Sequence, residues 1–136
     1  MNNNEFIQMV DKAIDHLEAQ GHPAADAGGN CLYQYEDEAG NVSRCIVGWM
    51  IEDEATRKAA DSGCSKTVGE LIQDGVWGTH LTEPQGFFLE SLQEIHDDTL
   101  TYKDDVDDCF ERGIKDMRHA LTKYSKDIYK VLQENF

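Results

Sequence analysis

The sequence has no long apolar run and few basic residues. No stretch approaches the ~20 consecutive apolar residues that cross a bilayer, and residues 1–5 show neither the basic region nor the apolar segment of a signal peptide. Lysine and arginine together number 12 against 27 aspartate and glutamate residues, for a formal net charge of −15. Without a signal peptide or a membrane-spanning run, we expect a cytoplasmic protein. Because anionic membranes and nucleic-acid phosphates are bound through lysine and arginine, we also expect that it binds neither directly.

The motifs that most often carry catalysis or a cofactor are also missing. Gly28-Gly29 and the segment 75–78 lack the lysine and the strand–loop–helix context of a phosphate-binding loop, and no G-x-S-x-G motif occurs. The cysteines form no C-x-x-C pair, so we expect buried thiols rather than a disulfide or a zinc site, and no bound cofactor. The four cysteines are Cys31, Cys45, Cys64 and Cys109.

The hydrophobic spacing that is present predicts one mostly helical α+β domain over residues 1–136. A β-hairpin is predicted over 31–51, because both of its arms are apolar and aromatic or β-branched and Gly40-Asn41 supplies a turn. Gly48 suits a close backbone approach. The hairpin is expected to pack against four or five helices, predicted over 4–20, 53–61, 68–74, 83–98 and 103–134.

Residues that favour helix N-termini stand where these helices begin. We expect Asn3 or Asn4 to cap the first helix and Asp53 the second. The T-x-x-E segment 67–70 and the T-x-x-Q segment 82–85 predict capping boxes for the next two.

The last predicted helix carries apolar residues at alternating spacings of four and three. This pattern, an a/d seam over three heptads, is compatible with a core helix in a monomer or with a homodimer, and the spacing leaves both open. Its members are Phe110, Ile114, Met117, Leu121, Tyr124, Ile128 and Val131.

The acidic residues are clustered, and nine of the 27 lie between Glu90 and Glu111, around the junction of the last two predicted helices. Carboxylates at a helix start gain ~0.3–1 kcal/mol from the helix dipole, which accounts for part of the segment 104–108. The remainder predicts a partner-binding surface that imitates nucleic-acid phosphates and binds a basic, nucleic-acid-binding protein. The predicted partner-binding residues are Asp97, Asp98, Asp104, Asp105, Asp107, Asp108 and Glu111. The secondary clusters are Glu36, Asp37 and Glu38, and Glu52, Asp53 and Glu54.

A different interpretation is a small metal-binding protein or hydrolase. Cys31, His96 and Asp97 are the candidate catalytic residues, and Cys45 joins them in a candidate Cys/His metal site. An acidic environment raises the pKa of a thiol, which disfavours a cysteine nucleophile. We therefore favour a non-enzymatic protein.

Two blocks of the sequence follow a recurrent pattern. The first runs from Cys31 to Glu54 as C-x-Y…G…C-x-V-G-x-x-I-x-D-E, and the second from Phe88 to Asp97 as F-L-x-x-L-Q-x-I-H-D. The pattern resembles small accessory proteins of tailed bacteriophages, which commonly have proline where this chain has Glu52. The resemblance implies a phage accessory protein, located in the host cytoplasm, and no defined catalytic activity. Together with the acidic clusters, it leads us to expect a protein that binds and inhibits or modulates a host protein, for example in anti-defence.

Overall fold

The fold is a helical body with one small antiparallel hairpin, which confirms the predicted α+β class. The computed structural model describes residues 1–24, 32–61, 66–78, 81–98 and 106–134, and side chains within these ranges except at 97–98, 106–109 and 129–134. In chain order its elements are α1 (Asn3–Gln20), β1 (Gln34–Glu36), β2 (Val42–Arg44), a 3-10 turn (Gly48–Met50), α2 (Glu54–Asp61), α3 (Val68–Gln73), α4 (Glu83–Asp98) and α5 (Val106–Glu134).

The return strand of the hairpin is much shorter than predicted. β2 ends at Arg44, and the apolar residues that follow it lead into the 3-10 turn. There the backbone N–H of Trp49 donates a hydrogen bond to the Cys45 carbonyl at 3.1 Å. The prediction of a strand to Ile51 was wrong because a short apolar run has the same pattern in a buried turn as in a strand. Gly48 does make a close backbone approach, since a Cβ there would lie 2.0 Å from the Tyr33 carbonyl oxygen.

The cap of α1 also differs from the prediction. Asn2, rather than Asn3 or Asn4, accepts hydrogen bonds through Oδ1 from the N–H groups of Asn4 (2.7 Å) and Glu5 (3.3 Å). Consecutive asparagines are equivalent in sequence, and the helix simply begins one residue earlier. The other predicted caps are present: Asp53 accepts from the Thr56 N–H at 3.0 Å, and the Thr67 side chain caps α3.

The start of α4 is the most completely bonded capping site among the described helices. The Thr82 N–H donates to Gln85 Oε1 at 3.0 Å, and the Gln85 N–H donates to Thr82 Oγ1 at 3.3 Å. Gln85 is fully buried, and its Nε2 donates to the Met1 carbonyl (2.8 Å) and to Asn3 Oδ1 (3.1 Å). One glutamine side chain therefore fixes α4 to the beginning of α1.

The core lies where α1, α4 and α5 meet. Phe6 of α1 contacts Phe88 of α4 and Tyr124 of α5 with ring centroids 6.1 and 5.6 Å apart, and Phe88 stacks on Tyr124 at 4.5 Å. The heptad residues from Phe110 to Leu121 are buried in the same core. This part of the predicted seam is therefore used within the chain.

Side chains cover part of each edge of the hairpin. Asp61 accepts the N–H groups of Tyr33 (2.9 Å) and Gln34 (3.0 Å) beside β1. Gln20 accepts the Arg44 N–H at 2.9 Å and donates to the Arg44 carbonyl at 3.1 Å beside β2. Because a two-stranded hairpin is marginally stable alone, these contacts with α2 and α1 stabilise it and protect its edges.

Candidate acidic docking face

The outer surface of α4 combines acidic side chains with an exposed aromatic ring. Glu83, Phe87, Glu90 and Glu94 are spaced by four, three and four residues, so they share one face of the helix. All four are exposed, and Phe87 has 59% of its surface accessible. We call these four residues the α4 face.

The sequence of α4 dictates which side faces outward. Phe88, Leu89 and Leu92 lie on the opposite side of the helix and are buried in the core, while the Gln85 contacts fix the first turn. The helix contains no lysine or arginine. The α4 face therefore carries negative charge that its own helix does not neutralise.

The neighbouring elements that the structure describes do not neutralise the charge of the α4 face either. Within residues 1–24, 32–61, 66–78, 81–96 and 110–128, no ion pair involves the three glutamates. Glu90 Oε1 lies 3.3 Å from the position that a Cβ of Gly69 would take, which places it against α3, a helix that also has no cation. The excess charge is thus left to solvent or to a partner.

The acidic side of α1 shows the opposite arrangement. Arg118 of α5 lies 2.9 Å from Asp15, 3.5 Å from Glu18 and 3.9 Å from Asp11. The hydrogen bond that the Arg118 guanidinium donates to the Asp15 carboxylate is the main cause that raises the pKa of Arg118. These three carboxylates share a cation within the fold, so they differ from the glutamates of α4.

The predicted primary patch falls largely outside the described side chains. Asp97 and Asp98 belong to the last turn of α4, and Asp107 and Asp108 to the first turn of α5, by their backbones alone. Asp104 and Asp105 lie outside the described residues. Glu111 is exposed and lines a groove of about 490 Å³ that also contains Lys115 and Arg118. Most of these side chains lie outside the described set, so a single acidic patch formed by them stays a prediction.

The first secondary cluster lies at the hairpin turn. Glu36 and Glu38 are exposed, whereas the Asp37 carboxylate accepts the N–H groups of Asn41 (2.8 Å) and Ala39 (3.0 Å). The backbone hydrogen bond from Asn41 is the first cause that lowers the pKa of Asp37. Asp37 therefore has a structural role in the turn and remains ionised there.

The second cluster lies at the start of α2. Asp53 accepts the Thr56 N–H and hydroxyl, and the bond from the hydroxyl is the first cause that lowers its pKa. Glu54 pairs with Lys58 at 3.4 Å, both largely exposed, and Glu52 is exposed. Capping and a weak surface pair thus account for two of these three acids.

The residues of the alternative Cys/His interpretation are only partly described. Cys45 and His96 are both fully buried, and Cys45 Sγ accepts the Gly48 N–H at 3.2 Å. The side chains of Cys31 and Asp97 lie outside the description. No three His, Cys, Asp or Glu side chains in the described ranges are grouped as metal ligands.

Sequence reasoning missed Phe87, although a signal was available. Helical spacing puts the apolar residues Phe88, Leu89 and Leu92 on one side of this helix and Phe87 off that side, among the glutamates. Aromatic residues are enriched in the buried cores of protein interfaces, so an aromatic residue among glutamates marks this face as a candidate for binding.

Comparison with known proteins gives no relative on which a function could be based. No family model, curated protein or solved structure matches the chain. The resemblance to small phage proteins therefore stays a prediction. None of the helices in the described ranges is both long enough and apolar enough to span a membrane.

Proposed function

We propose that this chain is an acidic binding protein that docks the α4 face onto a basic surface of another protein. The observation that carries the proposal is the position of Phe87, which has 59% of its surface exposed and shares one helix face with Glu83, Glu90 and Glu94. Exposed aromatic side chains are frequent anchors of interfaces, and the acidic surround selects a cationic partner.

The energetics favour this combination over charge alone. Burying the exposed part of the Phe87 ring contributes about 2–3 kcal/mol at the usual coefficient for apolar surface. Exposed ion pairs contribute less than about 1 kcal/mol each and are screened by salt. The ring therefore supplies much of the affinity, while the glutamates supply partner selection and a fast approach.

The charge density of α4 bears on the idea of nucleic-acid mimicry. At 1.5 Å of rise per residue, Glu83, Glu90 and Glu94 are spread over about 16 Å of helix axis, a mean spacing of about 8 Å per charge. Duplex DNA carries one charge per ~1.7 Å. Imitation of phosphates thus requires the aspartates of 97–108 in addition, and with them the proposed partner is a nucleic-acid-binding protein.

The cellular setting of the proposal rests on the resemblance to phage proteins. It makes the partner a host protein in the bacterial cytoplasm, and binding would inhibit or modulate that protein, for example in anti-defence or in host takeover.

The test is an affinity capture from bacterial lysate with matched charge variants. One bait carries Glu83→Lys, Glu90→Lys and Glu94→Lys on the α4 face, and a second carries Phe87→Ala. The control bait carries Glu52→Lys, Asp116→Lys and Asp127→Lys, which change the net charge equally at exposed positions elsewhere.

We expect the unaltered chain and the control bait to capture the same basic protein at low salt, and both α4-face baits to lose it. High salt or added duplex DNA should also release it. Equal loss from the control bait would show that net charge alone is responsible, and capture by all four baits would exclude the α4 face as the docking surface.

A further inference from the structure

A second surface, separate from the α4 face, is a groove of about 650 Å³ between the end of α1 and the hairpin. Its walls are His16 and His22 on one side and the hairpin residues Tyr35, Asp37 and Val42 on the other. The volume lies in the range of small-ligand pockets.

One wall of the groove is a stack of planar groups. The His16 ring lies parallel to the Trp49 indole, with centroids 4.7 Å apart and an interplanar angle of 10°. The Arg44 guanidinium is 4.7 Å from the centroid of the same indole. Packing on Trp49 therefore holds a flat imidazole surface in place at the edge of the groove.

The groove has a negative electrostatic character. Asp37 lines it and has a lowered pKa, so its carboxylate stays ionised. The last turn of α1, whose carbonyl groups carry the negative end of the helix dipole, contains no basic residue. No lysine or arginine is among the described residues that line the groove, but the Arg44 guanidinium on Trp49 places one cation beside it, so the negative charge is local to the hairpin wall, where Glu36 and Glu38 flank Asp37 in sequence.

The groove also borders an open part of the β2 edge. The hydrogen bonds from Asp37 to Asn41 and from Cys45 to Tyr33 show which residues of the hairpin face each other. By strand alternation the N–H and C=O of Val42 point outward, in the same direction as those of Arg44, which Gln20 covers. Val42 lines the groove with 48% of its surface exposed.

We propose that this groove binds an extended peptide segment carrying arginine, supplied by another protein. The peptide backbone pairs with the N–H and C=O of Val42, as in strand addition. The guanidinium enters the groove, stacks on the rings of Tyr35 or His16, and faces Asp37. Arginine fits better than lysine because its planar group both stacks on rings and pairs with carboxylates. The proposal uses no residue of the α4 face, so either site can fail without the other.

The probe is a labelled peptide of alternating glycine and arginine, with glycine–lysine and glycine–glutamate peptides of equal length as comparisons. Binding is measured by fluorescence anisotropy and by amide shifts in NMR spectra. Ala19→Trp fills the groove from an exposed helical position, and Ala59→Trp is the matched control on the surface of α2.

We expect the arginine peptide to shift the amides of Val42 and Ser43, and Ala19→Trp to weaken its binding about tenfold while Ala59→Trp leaves it unchanged. The lysine peptide should bind about three- to tenfold more weakly, as the loss of a stacked cation predicts. The inference is overturned if Ala19→Trp binds the arginine peptide as the unaltered chain does, if lysine binds equally well, or if the amide shifts avoid Val42 and Ser43.

Discussion

The buried glutamine at the start of α4 provides a sharp test of the fold that presents the docking face. In Gln85→Glu, the oxygen that accepts the Thr82 N–H is kept, but both Nε2 donors are lost. The new carboxylate oxygen then faces two acceptors, the Met1 carbonyl and Asn3 Oδ1. In the unaltered chain these acceptors lie 2.8 and 3.1 Å from Gln85 Nε2.

The expected loss of stability is about 3–5 kcal/mol. Two lost hydrogen bonds account for about 2 kcal/mol, and an uncompensated charge at a fully buried position accounts for the remainder. With a typical dependence of the free energy of unfolding on urea concentration, the midpoint of unfolding should fall by about 2 M urea. Burial raises the pKa of the introduced carboxyl group, so the deficit should shrink as the pH falls and the group becomes protonated.

The measurement is urea unfolding followed by circular dichroism at several pH values. Gln8→Glu on the exposed side of α1 is the matched control and should stay within about 0.5 kcal/mol of the unaltered chain. If Gln85→Glu is equally mild, or if its deficit does not depend on pH, then Gln85 is not buried against the N-terminus as described.

Four further predictions concern the rest of the fold. Gly48→Ala should destabilise by about 3 kcal/mol or more because its Cβ would overlap the Tyr33 carbonyl, whereas Gly69→Ala, which meets only the flexible end of Glu90, should be neutral or slightly stabilising in thermal unfolding. Arg118→Gln should lower stability by about 1 kcal/mol through repulsion among the three carboxylates of α1, and unfolding in high salt should show a smaller loss. Asp37 and Asp53 have lowered pKa values, so the stability that each contributes is complete above its unfolded pKa of about 3.9 and is lost as the pH falls through its folded pKa. In acid titrations, Asp37→Asn and Asp53→Asn should therefore lose less folding stability with falling pH than the unaltered chain does. Burial raises the pKa of Asp61, so its contribution has the opposite sign and declines as the pH rises above about 4, a decline that Asp61→Asn should remove.

Local sequence rules predicted most of the helices because their signals are local. The apolar spacing of α1 and the reciprocal bonds of Thr82 and Gln85 both follow from residues within a few positions of each other. The strand predicted through Ile51 failed because burial from several sides, rather than pairing with a partner strand, makes Cys45 to Val47 apolar. Local pattern alone does not distinguish those two environments.

The candidate sites were less predictable because they depend on tertiary contacts. The sequence shows three acids on one side of α1 and three on the face of α4, but nothing local indicates that Arg118, a hundred residues away, neutralises the first set alone. The groove beside Val42 also depends on a tertiary contact. It exists because Gln20 fixes the end of α1 to β2, and that contact spans 24 positions of the chain.

The most direct test of the α4 face places a photo-crosslinking amino acid at position 87 in bacterial cells. A second chain with the same group at position 122, exposed on α5, serves as the control. The account predicts that irradiation crosslinks the residue at position 87, but not the one at position 122, to a basic protein. The double substitution Glu90→Lys and Glu94→Lys should abolish the crosslinked product. A protein joined equally at both positions, or no product at position 87, would contradict it.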